Sequence, residues 1–240
     1  MITASGSQRR SLDGAALTVL AASLPGRAVV PRSAVDAMLA IDITKVPSQP
    51  AGSRRLIGAA ILRSRVYSAL ATDIVDLADV EAVWLPKTTA DQLPLDLRSL
   101  CHAAVAEAYM TCGLVRQATH QARLACDYAN EADNDACRYR ALSLLACNLA
   151  LNGEFARAEE ASVRCGELDV EGRWPQNTAA LPVLLAEMMT AYARLDVEPL
   201  VALLERFAKV GCACSGRTTT VPCWQRPESR AVPMPRSSRG

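Results

Sequence analysis

Residues 106–118, AEAYMTCGLVRQA, and residues 146–158, ACNLALNGEFARA, decide the architecture of this chain. Superposed at a spacing of 40 positions, Ala106, Tyr109, Gly113, Val115 and Ala118 fall on Ala146, Leu149, Gly153, Phe155 and Ala158. Forty positions earlier the same register lands on Val66, Ala69, Asp73, Val75 and Ala78. A looser copy, 42 positions later, falls on Met188, Ala191, Leu195, Val197 and Leu200. Self-similarity at a fixed period of this size predicts stacked helical hairpins. Val105, Ala108, Tyr109 and Cys112 follow the spacing of one helix face. Gly113 and Gly153 come just past helix ends, where glycine adopts a left-handed backbone at little cost. Ala106 and Ala118, and then Ala146 and Ala158, put small side chains where two antiparallel helices must approach.

Working outward, the sequence predicts a helix over 12–24, stopped by Pro25-Gly26, and a second over 32–43, opened by Pro31. A Pro- and Gly-bearing linker is expected over 45–53. Four hairpins follow, over 54–85, 95–130, 135–168 and 178–210, turning at Asp73, Gly113, Gly153 and Leu195. The domain reading is a disordered N-terminus over 1–11, a short helical pair with its linker over 12–53, repeats over 54–210, and a disordered tail over 211–240. The tail holds no Leu, Ile, Phe or Tyr, so it buries too little apolar surface to fold alone. It follows directly on a second helix of a hairpin, where an array ordinarily carries a capping helix. The expectation is a truncated array with an out-of-frame tail. A genuine disordered tail is the alternative, and the adjacent DNA read in its other frames separates the two.

Composition narrows the function. Half of the 240 residues are hydrophobic but only 4% are aromatic, so alanine and leucine must do the packing, which favours close helix–helix contact. Residues 1–72 carry nine basic and three acidic side chains, and residues 73–210 carry twelve basic and 21 acidic ones. The repeat body is therefore acidic, which disfavours phosphate backbones, and no direct nucleic-acid binding is expected. Nine scattered cysteines, an odd total, do not read as a disulfide framework. Six of them (Cys101, Cys112, Cys126, Cys137, Cys147, Cys165) fall in helical patterns as small buried hydrophobes, which fits a cytoplasmic setting. Arg9-Arg10 before the apolar stretch from Ala15 to Leu24 loosely resembles a twin-arginine export signal. Asp13, the short apolar run and the missing cleavage site favour an ordinary amphipathic helix. No run approaches the length of a membrane span.

Position by position, the hairpins resemble tetratricopeptide repeats. That family places a small residue, an aromatic, a glycine, an aromatic and an alanine where this chain has Ala106, Tyr109, Gly113, Val115 and Ala118. The next copy has Ala146, Leu149, Gly153, Phe155 and Ala158. The signature Trp and closing Pro are missing and the period is 40, so the likeness is to the broader tetratricopeptide-like superfamily with longer connections between hairpins. HEAT-type repeats, whose period fits 40 better, are the alternative. The resemblance implies an all-α fold, a right-handed superhelix of antiparallel hairpins. It also implies a concave face lined by first helices, on which Arg63, Tyr67, Glu107 and Arg140 are the candidate partner-binding residues. The competing assignment for these four is ordinary surface or inter-repeat positions.

Ala-, Leu- and Arg-rich hairpins of this kind also resemble the helical array of large bacterial LuxR-type (MalT-like) transcriptional regulators, over about residues 54–210. In that class an ATPase module precedes the array and a helix-turn-helix follows it. Neither a phosphate-binding loop nor a helix-turn-helix is found in this sequence. No G-x-S-x-G, H-E-x-x-H or G-x-G-x-x-G occurs either, so no enzyme and no cofactor is expected. His102 and His120 read as solvent-facing or locally bonded helix residues. Glu159-Glu160 reads as a solvated surface. Cys212, Cys214 and Cys223 fall short of a tetrahedral metal site.

The expectation is thus a protein- or peptide-binding sensor or scaffold module, a piece of a LuxR-type regulator. Its uncapped last repeat is open to self-association. The alternative is an autonomous helical ligand-binding protein or enzyme.

Overall fold

The computed structural model describes residues 6–25, 30–41, 51–69, 93–169 and 179–214, and the structural statements below concern these. All regular structure among them is helical: α1 (Gly6–Ala21), α2 (Arg32–Leu39), α3 (Ala51–Ala69), α4 (Leu95–Thr111), α5 (Val115–Glu131), α6 (Asp135–Leu151), α7 (Phe155–Leu168), α8 (Leu181–Ala193) and α9 (Val197–Cys214). The second helix of the first hairpin and its turn at Asp73 lie outside the described residues, as does the tail from 215 onward.

One turn geometry recurs. After α4, the Leu114 N–H donates to the Tyr109 carbonyl and the Gly113 N–H to the Met110 carbonyl, with Gly113 at φ 74°. The same double bond pattern closes α5 around Asp133 at φ 51°, α6 around Gly153 at φ 77°, and α8 around Leu195 at φ 57°. This is the Schellman closure, in which a left-handed residue lets two orphan helix carbonyls be satisfied. Gly113, Gly153 and Leu195 are the three described turn positions that the sequence register picks out. Asp133 is not among them. Between α5 and α6 the connection is three residues, as short as the turn inside a hairpin, so the longer link expected there is absent. The extra length of the repeat goes instead into helices of 17 residues.

Element ends differ modestly from expectation. α1 begins at Gly6 rather than Leu12, α3 begins at Ala51 inside the predicted linker, and α9 continues through Gly211 to Cys214. Alanine and serine near these ends sustain helical geometry, and a single glycine weakens a helix without ending it.

Packing separates two kinds of helix. α3, α4, α6 and α8 form a row in which each touches the next, while α5 and α7 flank that row and do not touch one another. α6 buries twelve of its 17 residues, whereas α5 buries six of 17. Ala106, Ala118, Ala146 and Ala158 have no exposed surface, as their close-approach positions require. A first core joins α1, α2, α3 and α4 around Leu20, Met38, Ile61, Leu62 and Val105. A second surrounds α6 through Leu142, Leu144 and Leu149. Burying one such leucine or isoleucine contributes roughly 1.5–3 kcal/mol. A third, small cluster joins α8 and α9 through Leu184, Ala191 and Leu203. No helix among the described residues is long and apolar enough to cross a membrane.

Candidate functional site

The α3–α4–α6 row brings together three of the four residues singled out by sequence. Arg63 on α3, Glu107 on α4 and Arg140 on α6 converge on one point. Arg63 Nη1 donates to Glu107 Oε2, and Arg140 Nη2 donates to Glu107 Oε1. Arg63 Nε also donates to the Val19 carbonyl of α1 at 3.3 Å, so the cluster ties four helices. Side-chain exposure is 7% for Arg63, 14% for Glu107 and 2% for Arg140. These three groups engage one another in a largely buried cluster. Tyr67 stands on the last turns of α3, and its side chain lies outside the described residues.

Burial alone would raise the Glu107 carboxyl. The charges of Arg140 and Arg63, with the hydrogen bonds both make, outweigh it and hold the group below the usual carboxylate range. Glu107 is therefore ionised at neutral pH. Arg140 Nε finds no hydrogen-bond partner among the described residues, so the cluster is incompletely satisfied. A buried pair of this kind adds little net stability, but losing one member is costly because the other charges stay buried.

A second polar group lies between α4 and α5. His102 Nδ1 is 2.7 Å from Gln121 Oε1, its ring stacks on Tyr128 at 5.2 Å between centroids, and the Arg98 guanidinium sits 5.7 Å from the Tyr128 centroid. His102 is locally bonded and buried, while His120 is exposed. Buried hydroxyls repeat the theme: Ser99 Oγ donates to the Ala125 carbonyl, and Ser143 Oγ donates to the Ala179 carbonyl while accepting from the Val183 N–H.

Four of the buried thiols, Cys126, Cys137, Cys147 and Cys165, are not poised for chemistry. Burial pushes Cys126 and Cys137 up to about 12 and Cys147 to about 11, and raises Cys165 further. Nucleophilic thiols need the opposite shift. Among the described residues no three His, Cys, Asp or Glu side chains gather where a metal could sit. Glu159 and Glu160 are exposed, and Glu159 pairs with Arg194 of the α8–α9 hairpin at 2.9 and 2.5 Å.

The most exposed apolar surface lies elsewhere, on the last hairpin. Tyr192, Leu195, Val197, Val201 and Leu204 expose 69%, 82%, 69%, 51% and 40% of their surface. Five large apolar side chains within 13 residues form a patch of the kind that marks interaction sites. The spacing of Val197, Val201 and Leu204, at i, i+4 and i+7, carries a second stripe beside the one formed by Leu200, Leu203 and Phe207 against α8. That second stripe was the available signal. Comparison with protein-family models, curated proteins and solved structures returned no match to this chain.

Proposed function

We propose that this chain is a protein-interaction or scaffold module, built as stacked hairpins of the tetratricopeptide-like kind that continue as a right-handed superhelix. On this reading it is a piece of a LuxR-type regulator, apart from that regulator's ATPase and helix-turn-helix parts. One observation supports it most. Arg63, Glu107 and Arg140 are buried and engaged with one another, while exposed apolar side chains gather at the end of α8 and along α9. Such a face binds by a few well-buried apolar anchors.

Affinity capture from native lysate, with a Val201→Asp variant as control, tests the interaction reading. Recovery of a partner by the wild type and its loss in the variant supports it. Equal recovery by both sinks the assignment of this face. The regulator reading is tested in the DNA flanking the coding segment, which should encode a phosphate-binding loop upstream and a helix-turn-helix downstream in one frame.

A further inference from the structure

The stacking row has a consistent rule. α4 is covered by α5 and α6, and α6 by α7 and α8. α9 packs on α8 and on no other described helix. α8 itself, LPVLLAEMMTAYA, has one charged residue among 13 and is covered along most of its length; six residues are buried, five are half-buried, and only Tyr192 and Ala193 are exposed, so the open surface lies at its C-terminal end and on α9. Among the described residues no further helix covers α9, whereas each earlier member of the row has a helix against it, so the cover that fits this position has the shape of a helix.

Charge says what kind of helix. The two basic side chains of the last hairpin that are described are held by acids of this chain, Arg194 by Glu159 and Arg206 by Glu187 at 3.7 Å, while the Lys209 side chain lies outside the described residues. Asp196, Glu198 and Glu205 are exposed and make no ion pair with the described residues. On α9, helical periodicity places Glu198 and Glu205 together on the flank of the Val197–Val201–Leu204 stripe. The open face is thus an apolar stripe bordered by Glu198 and Glu205, neither of which makes an ion pair with a described side chain.

We propose that the outer face of the α8–α9 hairpin binds an amphipathic α-helix whose apolar stripe is flanked by lysine or arginine. This rests on the reading of the chain as an interaction module and names the chemistry of its partner. Apolar anchors at i, i+3, i+4 and i+7 of the incoming helix lie along Val201 and Leu204, and its basic flank lies against Glu198 and Glu205. The apolar stripe supplies affinity and the charges supply orientation and discrimination.

Two fluorescently labelled synthetic helices test it by anisotropy with the full chain. One carries leucine at its heptad core positions and lysine on both flanks; the other carries glutamate on the flanks. The lysine helix should bind at least about tenfold more tightly, and added salt should erode that preference. Val201→Asp with Leu204→Asp should abolish binding, with an unchanged circular dichroism spectrum. Glu198→Lys with Glu205→Lys should reverse the preference between the two helices, a result that misfolding cannot imitate. Equal binding of both helices, no binding of either, or no reversal in the charge-swapped variant overturns the proposal. So does concentration-dependent dimerisation of the chain alone that Val201→Asp abolishes, because a second copy would then be the occupant. Failure here alongside partner capture from lysate removes only the basic-helix assignment; failure of both removes the interaction reading at this face.

Discussion

The α6–α7 hairpin and the α8–α9 hairpin descend from the same sequence register but live in different surroundings. α6 has neighbours on several sides, buries Leu144 and Arg140 almost completely, and lends its arginine to a charge cluster spanning four helices. α8 has α6, α7 and α9 as neighbours, and α9 has α8 alone, leaving Tyr192, Leu195 and Val201 open. The contrast shows that a helical repeat does not fix how deeply its members are buried. Position in the stack does, and with it the sign of what a charge or an apolar side chain contributes.

The sharpest way to break this comparison is through two glutamates, Glu107 of α4, which pairs with Arg140 of α6, and Glu187 of α8. Glu107→Ala leaves Arg63 and Arg140 buried without their counter-charge, and should cost about 3–5 kcal/mol in urea denaturation. Glu187, near the α8–α9 interface, has the opposite character. Burial raises its carboxyl, and the Arg206 charge only partly offsets that. Glu187→Gln should be neutral or slightly stabilising at neutral pH. A large loss from the second substitution, or none from the first, would erase the distinction between the hairpins.

The same two groups predict opposite pH dependence. The Glu107 value is lowered in the folded state, so its contribution is complete above the ordinary carboxylate range and is lost as pH falls through the lowered value. The Glu187 value is raised, so its folded-state advantage is complete below the ordinary carboxylate value near 4.5 and is lost as pH rises through the raised one. Urea midpoints measured across acidic pH should therefore show a shallower acid-side decline for Glu107→Gln than for the wild type, and a steeper one for Glu187→Gln. Parallel curves would contradict both assignments.

Packing supplies a smaller test. Ala158 has no exposed surface where α7 meets α6, and Ala158→Leu should overpack that contact by about 1–3 kcal/mol. Val201→Asp on the open face should change monomer stability by no more than about 0.5 kcal/mol in the same assay.

Much of this fold is legible in the sequence because period and turn chemistry are local. Asp135–Leu151 and the end of α7 at Leu168 follow from apolar spacing and from Gly153 alone. The Asp133 reversal is not, because aspartate tolerates a left-handed backbone without advertising it as glycine does. The candidate site is legible only in part. Arg63, Glu107 and Arg140 can be named from their places on the first helices, but their mutual pairing joins positions 44 and 33 residues apart, off the 40-residue register. Burial of a charge depends on which helix comes next in the stack, and sequence spacing does not carry that. The open stripe on α9 is visible in the sequence as a second apolar stripe, but nothing local tells a stripe facing a neighbour from one facing none.

The turns give the finest comparison, because one geometry is built from different residues. Gly153 closes α6 at φ 77°, and no atom lies within 4 Å of the place a methyl group would take there, so Gly153→Ala meets no clash and tests backbone strain alone. A non-glycine residue in the left-handed region costs roughly 1–2 kcal/mol, offset in part by the lower unfolded-state entropy of alanine. A net loss of about 1 kcal/mol is expected in urea denaturation. Leu195 holds the equivalent place after α8 at φ 57°, with 82% of its surface exposed, so it carries that strain with little packing in return. Leu195→Gly should therefore run the other way, stabilising the chain by a few tenths to about 1 kcal/mol. If Leu195→Gly instead destabilises the isolated chain, the side chain is packed in solution, and the last hairpin is less open than α9 and its neighbours indicate.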